Sequence, residues 1–176
     1  CGLPDFFDNA TIGLHWVGPD GTILRAKRAE LDMLAYRAEE YVGQPISAFH
    51  IDENTIREIL RRLHAGDRLV EFPARLRCKD GSIKDVLIDS SVLWQEGRFV
   101  HTRCFTRDVT GRKRVEAALA DARTRLDAAL EAGAIATWTW DIVHNRLFAD
   151  RNLAHLFNLP SSEADGGLLD KYLRAI

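Results

Sequence analysis

The chain of 176 residues is 46% hydrophobic and 28% charged, an ordinary composition for one or two globular domains. A net charge of −2, and the lack of any apolar run near the roughly 20 residues that span a bilayer, argue against a nucleic-acid partner and against membrane contact by this chain. Three cysteines, Cys1, Cys78 and Cys104, show neither CxxC spacing nor an even-numbered disulfide framework, which predicts a reducing, cytoplasmic setting.

The first part of the chain predicts a hairpin followed by short helices. Residues 5–10 favour a lead-in segment around Phe6 and Phe7. Next comes a Gly-Pro-Asp-Gly sequence at 18–21, typical of a tight turn because proline fixes one backbone dihedral and glycine allows positive φ. The pattern predicts strands at Ile12–Val17 and Thr22–Ala26, then helices at Lys27–Leu34, Glu39–Val42 and Asp52–His64.

Three longer strands follow the helices. The two segments that connect them, at 79–81 and 95–97, both end in glycine, as tight hairpins require. We therefore expect an α+β fold, with one five-stranded antiparallel sheet covered on one face by helices. The three strands are predicted at Leu69–Cys78, Ser82–Trp94 and Arg98–Asp108.

The last strand passes into a helix without an intervening loop. Thr110 stands at the switch, where its hydroxyl could accept a hydrogen bond from a free first-turn amide. Residues 111–133 are predicted to form a linker helix that pairs with a second copy as a weak coiled coil, because apolar residues recur there at alternating spacings of four and three. This seam consists of Val115, Leu119, Ala122, Leu126 and Ala129.

The end of the chain repeats its beginning. Ile135 aligns with Ile12 and Asn158 with Ala35, at one offset of 123 positions. The repeat stops at Ile176, before any counterpart of the three long strands. Residues 134–176 are therefore predicted to begin a second, truncated copy of the domain.

The order of these elements resembles a PAS domain, the sensor module of bacterial signalling proteins. The resemblance rests on the Gly-Pro-Asp-Gly hairpin, the RAELDMLAY helix, the EEYVGQ turn, the KDGS hairpin and a strand ending in Arg107-Asp108-Val109-Thr110. This ending is similar to the Asp-(Ile/Val)-Thr signature of the family, and the resemblance covers residues 5–110. The chain departs from the family at Lys27 and Ala35, where relatives commonly carry Asn and Gly, which predicts weak ends for the first helix.

The resemblance implies a sensory rather than a catalytic role. No GxxxxGK[ST], GxSxG or HExxH motif is present, so we predict no enzyme within this chain. The leading hypothesis is a homodimeric sensor that passes a signal through its linker helices to a downstream PAS domain and an output module, as in a sensor histidine kinase. The alternatives are a ligand-free dimerisation and spacer module, or a sensor of a cyclic-dinucleotide enzyme.

PAS domains form a cup between the helices and the sheet, in which some members hold haem, flavin or small metabolites. Light-sensing members with covalent flavin carry an Asn-Cys-Arg-Phe helix, which this sequence lacks, so we exclude flavin–cysteinyl chemistry. No metal or cofactor is predicted beyond an unknown small ligand. For His64, beside a helix end, we expect a surface or capping role, and for His50 a hydrogen bond that tethers the helices, with ligand binding as the alternative.

Side-chain polarity assigns the two faces of the sheet, because unpaired charges are costly to bury. The uncharged alternate residues should face the cup, and with His50 the candidate lining is Ile88, Ser90, Val100, Thr102, Cys104 and Thr106. On the other face, exposed Leu87, Leu93 and Phe105, with Trp94, predict a dimer surface. Signal transmission is assigned to Asp108, Val109 and Thr110, and we expect Asp108 to pair with a nearby Arg or Lys.

Overall fold

The computed structural model describes residues 12–133, 135–157, 160 and 165–168. The chain divides into two units between Val115 and Glu116. The predicted lead-in segment with Phe6 and Phe7 lies outside the described residues. Among those residues, no helix combines the length and the apolar character that crossing a bilayer would require.

The first unit is built on a five-stranded antiparallel sheet, which confirms the predicted fold class. The strand order is β2-β1-β5-β4-β3, so β2 and β3 form the edges. Pro73 lies in β3, where an edge position tolerates its missing amide. The strands are β1 (Gly13–Val17), β2 (Ile23–Ala26), β3 (Leu69–Arg77), β4 (Ile83–Gln95) and β5 (Arg98–Asp108).

Tight turns connect the antiparallel neighbours where the sequence predicts them. In the β1–β2 turn, the Asp20 carboxylate accepts hydrogen bonds from the amide and the hydroxyl of Thr22, at 3.0 and 2.9 Å. Between β4 and β5, Glu96 and Gly97 both have positive φ, at 51° and 74°. Two consecutive left-handed residues match the twist of a two-residue hairpin, and this turn sets the long β4–β5 pairing in register.

Short helices cover one face of this sheet. Helix α3 turns Ile56, Ile59 and Leu63 inward at helical spacing, and they join the sheet residues in a single apolar core. The other helices bring in aromatic rings, and the ring centroids of Tyr41 and Phe49 are 4.4 Å apart. The helical elements are α1 (Arg28–Leu34), α2 (Ala38–Tyr41), a 3-10 turn (Ile46–Phe49) and α3 (Glu53–His64).

The ends of α1 reflect the two departures from the family pattern. Lys27 occupies the N-cap position but makes no side-chain capping bond. Ala35 follows the helix with φ of 60°, a left-handed conformation that costs an alanine about 1 kcal/mol relative to glycine. Both ends of the helix are therefore bounded without the usual capping residues.

Only Val109 separates the end of β5 from the start of helix α4 (Thr110–Ala132), and the sequence likewise predicts a strand that passes into a helix without a loop. The second unit includes the three-stranded sheet β6-β7-β8 and helix α5 (Arg151–Leu156). Trp138 pairs with Ala149 as His15 pairs with Ala26, which preserves the offset of 123 positions. The strands are β6 (Trp138–Asp141), β7 (Arg146–Ala149) and β8 (Asp165–Leu168).

Candidate functional site

Six of the seven residues assigned to the cup lie on the inner face of the sheet, and His50 follows the 3-10 turn. All of them are buried except Val100, which is half-buried near the start of β5. Four of them, His50, Ile88, Thr102 and Cys104, line a cavity between the sheet and helix α3. The remaining three, Ser90, Val100 and Thr106, do not line it.

This cavity is small. It offers about 20 Å³ to the centre of a water-sized sphere, whereas one water needs roughly 10–15 Å³. Ligand pockets for drug-sized molecules measure about 300–1,000 Å³. A haem or flavin ring would therefore fit only if the apolar side chains around the cavity moved apart. These are Val17, Ile46, Ile56, Ile59, Leu60 and Leu63.

A histidine that sequence reasoning did not assign to the site lies at the centre of the inner face. His15 of β1 is opposite Cys104 of β5, and Cys104 is opposite Ser90 of β4, so the three form one row across the sheet. The Cys104 sulfur lies 2.9 Å from the Ser90 hydroxyl and 3.2 Å from that of Thr102. The alternation Gly13, His15, Val17 carries the signal that β1 turns this histidine inward.

His15 has a buried acidic partner from helix α1. Its Nδ1 atom is 3.1 Å from Oε1 of Glu30, in a side chain with no exposed surface. The imidazole is not aligned for a hydrogen bond, so the contact is an ion pair. The Tyr41 hydroxyl lies 3.2 Å from the same Oε1 and donates to it. Glycine is required at position 13, because a Cβ there would clash with the Glu30 carboxylate.

Electrostatics favour the charged forms in this cluster. Burial alone would lower the pKa of His15, but the negative charges of Glu30 and Cys104 outweigh it and raise that pKa to about 10. Burial would raise the pKa of Cys104, yet the His15 cation and the hydroxyl donors lower it. Burial, then the negative charge of Glu30, raises the pKa of Tyr41 well above its usual value. We call His15, Glu30, Tyr41, Ser90, Thr102 and Cys104 the buried polar cluster.

The two other histidines considered at the outset differ in environment. His50 is 7% exposed, and its Nδ1 atom has no hydrogen-bond partner within the described structure, so the predicted tether is absent at that atom. Burial, followed by repulsion from His15, lowers the pKa of His50 to about 4. His64 is exposed and contacts the carbonyl oxygens of Leu60 and Pro19, at 2.8 and 2.9 Å, which fits the expected role near the helix end.

The strand-to-helix joint is fastened by side chains from β4 and β5. The expected basic partner of Asp108 is Lys84, whose Nζ lies 2.8 Å from the carboxylate. The other carboxylate oxygen accepts from the Thr110 amide, also at 2.8 Å. The Thr110 hydroxyl, for which the sequence predicts a bond to a first-turn amide, accepts from the Asp85 amide of β4 at 2.9 Å.

Asp85 holds the start of α4 through three of its own atoms. Its amide donates to the Thr110 hydroxyl, its carbonyl oxygen accepts from the Val109 amide at 2.9 Å, and its carboxylate binds Lys113 at 2.8 Å. The first turn of α4 is thus bonded to β4 as well as continuous with β5. This joint, formed by Lys84, Asp85, Asp108, Val109, Thr110 and Lys113, links the sheet to the helix.

The residues predicted to form the dimer surfaces differ in their exposure to solvent. On the outer face of the sheet, Phe105 and Trp94 are 43% and 46% exposed, whereas Leu87 and Leu93 are half-buried rather than fully exposed. Along α4 the predicted seam faces solvent, with Val115, Leu119 and Leu126 between 59% and 70% exposed and Ala122 also exposed.

The described part of the chain carries no arrangement of His, Cys, Asp and Glu that could hold a metal ion. The two described cysteines, Cys78 and Cys104, follow or lie within sheet strands rather than helices. This placement differs from the helical cysteine expected for flavin–cysteinyl chemistry.

The PAS fold family model matches residues 7–114. A PAS domain of an HTR-like protein from Haloarcula marismortui is 23% identical, with a TM-score of 0.53, covering 60% of this chain and 88% of that one. An RNA-binding light-oxygen-voltage receptor is 20% identical, with a TM-score of 0.59, and the match covers 69% of this chain and 37% of that one. A domain of a sensory box sensor histidine kinase/response regulator from Geobacter sulfurreducens is 19% identical, with a TM-score of 0.52. The match covers 60% of this chain and 90% of that one. No curated protein sequence matches the chain.

Proposed function

Since the chain belongs to the PAS fold family, we propose that its first unit is a sensor whose state is passed from β5 into helix α4. The hydrogen bonds of the joint are the observation that supports this proposal. A change in the sheet moves Asp108, whose carboxylate bonds both Lys84 and the first amide of the helix, so strain in β5 acts on the helix start rather than on a free loop.

The partner of α4 is proposed to be the same helix of a second copy. Its seam exposes Val115, Leu119 and Leu126 at heptad spacing, and such residues lose their contact with water in a parallel coiled coil. Phe105 and Trp94 on the outer face of the sheet extend the proposed homodimer surface. A seam of three large residues and two alanines gives weak pairing, which suits a helix that changes its register or pairing.

Residues 134–176 are proposed to begin a second PAS domain, because β6, β7 and α5 repeat the order of β1, β2 and α1. The proposed output is a cytoplasmic histidine kinase. Residues 7–114 match the PAS fold, a sensor module, so the reaction itself belongs to this output.

The joint is tested with Asp108→Ala, and Asp121→Ala on the exposed surface of α4 serves as the control. Loss of the bond to the Thr110 amide removes a cap worth about 1 kcal/mol, so amides at 110–114 should exchange with deuterium about fivefold faster. Amides in the centre of β5 should be unchanged. In the intact signalling protein, Asp108→Ala should uncouple output from the stimulus. Normal signalling, or an unchanged exchange rate at the helix start, would contradict the proposal.

The homodimer is tested separately by sedimentation of Leu119→Glu and of Ala117→Glu, which lies off the seam. The seam variant should raise the dimer dissociation constant by at least about tenfold, because a buried leucine contributes about 1.5–3 kcal/mol. Equal effects of the two variants would refute pairing through this seam.

The size of the cavity favours a second candidate function, a dimerisation and spacer module whose cup is closed by its own side chains. Native mass spectrometry and the visible absorption spectrum of the purified protein distinguish the two. A retained metabolite, haem or flavin supports the ligand-dependent sensor, and its absence at saturating concentrations of such ligands supports the spacer.

A further inference from the structure

The buried polar cluster contains a thiol in an arrangement that simple core packing does not require. Cys104 and Cys78 are both buried, at 5% and 3% exposure, but their neighbours differ. The Cys78 sulfur contacts the carbonyl oxygen of Met33 at 3.9 Å. The Cys104 sulfur instead lies within 3.2 Å of two hydroxyls, and Cys104 is opposite His15 in the neighbouring strand.

These neighbours favour a negative charge on sulfur. Ser90 and Thr102 can both donate, and the paired His15 carries the proton that makes it a cation. Although burial opposes a thiolate, the pKa of Cys104 is lowered rather than raised. Thiolates are the nucleophilic form of cysteine, so a lowered pKa increases the fraction of Cys104 that can attack an electrophile.

The cavity beside the sulfur offers space and a further polar group. His50 lines it, is more than nine-tenths buried, and leaves Nδ1 without a hydrogen-bond partner in the described structure. An unpartnered buried nitrogen costs about 1–3 kcal/mol, which a small polar molecule in the cavity would recover. The volume of about 20 Å³ exceeds the roughly 10–15 Å³ of one water, so two bonded oxygen atoms fit and bulkier groups do not.

We propose that Cys104 is a modification site at which hydrogen peroxide entering this cavity oxidises the thiolate to a sulfenic acid. The sulfur attacks one peroxide oxygen, an S–O bond forms and the O–O bond breaks. The sulfur loses two electrons and the peroxide oxygens gain them. The His15 imidazolium gives its proton to the departing hydroxide, which leaves as water. This inference stands apart from dimerisation and from the output of the sensor.

The test exposes the folded chain to hydrogen peroxide for a set time and removes the oxidant with catalase. The chain is then unfolded in urea with dimedone, which traps sulfenic acids, and each cysteine is followed by peptide mass spectrometry. Cys78 is the internal control because it is equally buried. Labelling that required global unfolding would modify both cysteines alike. We expect Cys104 to be labelled at least about tenfold faster than Cys78, and equal rates would overturn the proposal.

Two variants separate the local chemistry from a general loss of structure. Ser90→Ala removes a hydroxyl 2.9 Å from the sulfur but keeps the His15–Glu30 pair, and it should slow Cys104 labelling severalfold without changing the circular dichroism spectrum. His15→Asn should slow it by about tenfold or more, provided that the same spectrum shows a folded protein. A folded Ser90→Ala protein labelled at the wild-type rate refutes the assignment.

The size of the oxidant gives a last discriminating measurement. Hydrogen peroxide fits the cavity, whereas tert-butyl hydroperoxide carries four additional carbon atoms. The labelling rate of Cys104 with hydrogen peroxide, divided by its rate with tert-butyl hydroperoxide, should be larger in the folded protein than in urea, where the cavity is lost. The same ratio in both conditions would show that the cavity does not govern the reaction.

Discussion

Replacement of Glu30 by glutamine tests the buried ion pair most directly. Glutamine keeps the shape of the side chain and an acceptor for the Tyr41 hydroxyl, but it removes the charge that faces His15. His15 is 4% exposed, so a buried cation would lose its counter-ion and the folded chain would release the imidazole proton instead. Removing one partner of a buried ion pair costs about 3–5 kcal/mol, and we expect Glu30→Gln to lower the free energy of unfolding by this amount near neutral pH.

The dependence of stability on pH should change sign as well. The pKa of His15 is raised from 6.5 to about 10, so the folded chain holds a proton that the unfolded chain releases above pH 6.5. The stabilisation is complete below pH 6.5 and is lost as pH rises towards 10, at about 1.4 kcal/mol per pH unit. In Glu30→Gln, burial favours neutral imidazole, so stability should instead rise as pH increases through the region of 6.5.

Urea unfolding at pH 6.5, 7.5 and 8.5, followed by circular dichroism, measures both effects. Cys104, whose pKa is lowered, contributes with the opposite sign, so the comparison is made with Cys104→Ser present in both proteins. Glu30 is the largest of the causes that raise the pKa of His15 and is kept in the Cys104→Ser background, so the protein with Glu30 should lose up to about 2–3 kcal/mol across this range. The protein with Glu30→Gln should not. Asp32→Asn is the control, because its contact with Arg28 is exposed. Parallel slopes with and without Glu30 would refute the ion pair.

Three further substitutions test separate features of the first unit. Gly13→Ala should destabilise the fold by about 1–3 kcal/mol in thermal or urea unfolding, because its Cβ would meet Glu30, whereas Gly111→Ala, with no atom near its added Cβ, should not; equal effects would contradict this. Ala35→Gly should stabilise by about 0.5–1 kcal/mol by relieving a left-handed alanine, and a loss of stability would show that the helix end is not strained. The pKa of His50 is lowered from 6.5 to about 4 in the folded chain, so protonation between these values favours the unfolded chain. His50→Gln should therefore remove about 3 kcal/mol of the stability that the protein loses between pH 6.5 and 4. Unfolding curves from about pH 4.5 to 6.5 that show the same loss of stability in both proteins would contradict it.

The sheet and most of the residues on its inner face could be predicted from the sequence, and the reason is physical. Thr102, Cys104 and Thr106 alternate with Arg103, Phe105 and Arg107 along β5. Burying the two arginines unpaired would be too costly for the strand to face the other way. The same polarity argument misses His15 and Glu30. A histidine and a glutamate are each expected at the surface, and they are buried together because β1 and α1 pack against each other, a contact that neither local pattern encodes.

The joint shows a second kind of limit. Asp108 and Thr110 are both good capping residues, and either could bond a first-turn amide. In the structure, Asp85, on a strand 25 residues earlier, donates its amide to the Thr110 hydroxyl, and the Asp108 carboxylate accepts from the Thr110 amide. Local sequence therefore located the joint, but the arrangement of its hydrogen bonds depends on the pairing of β4 with β5.

Magnitudes indicate which part of the inner face could drive the proposed relay. Cys104 and Asp108 lie on the same strand, four residues or about 14 Å apart, so β5 connects the buried polar cluster to the joint. Shifting a two-state equilibrium from 1:99 to 99:1 takes about 5.5 kcal/mol. A hydroxyl such as that of Thr102, which accepts from the Val17 amide at 3.2 Å, contributes about 1 kcal/mol, far short of this requirement. Disruption of the His15–Glu30 pair approaches it at about 3–5 kcal/mol. A stimulus that acts on the sheet is therefore expected to act through the charges of the cluster, and variants of the cup hydroxyls alone should leave the equilibrium of the joint nearly unchanged.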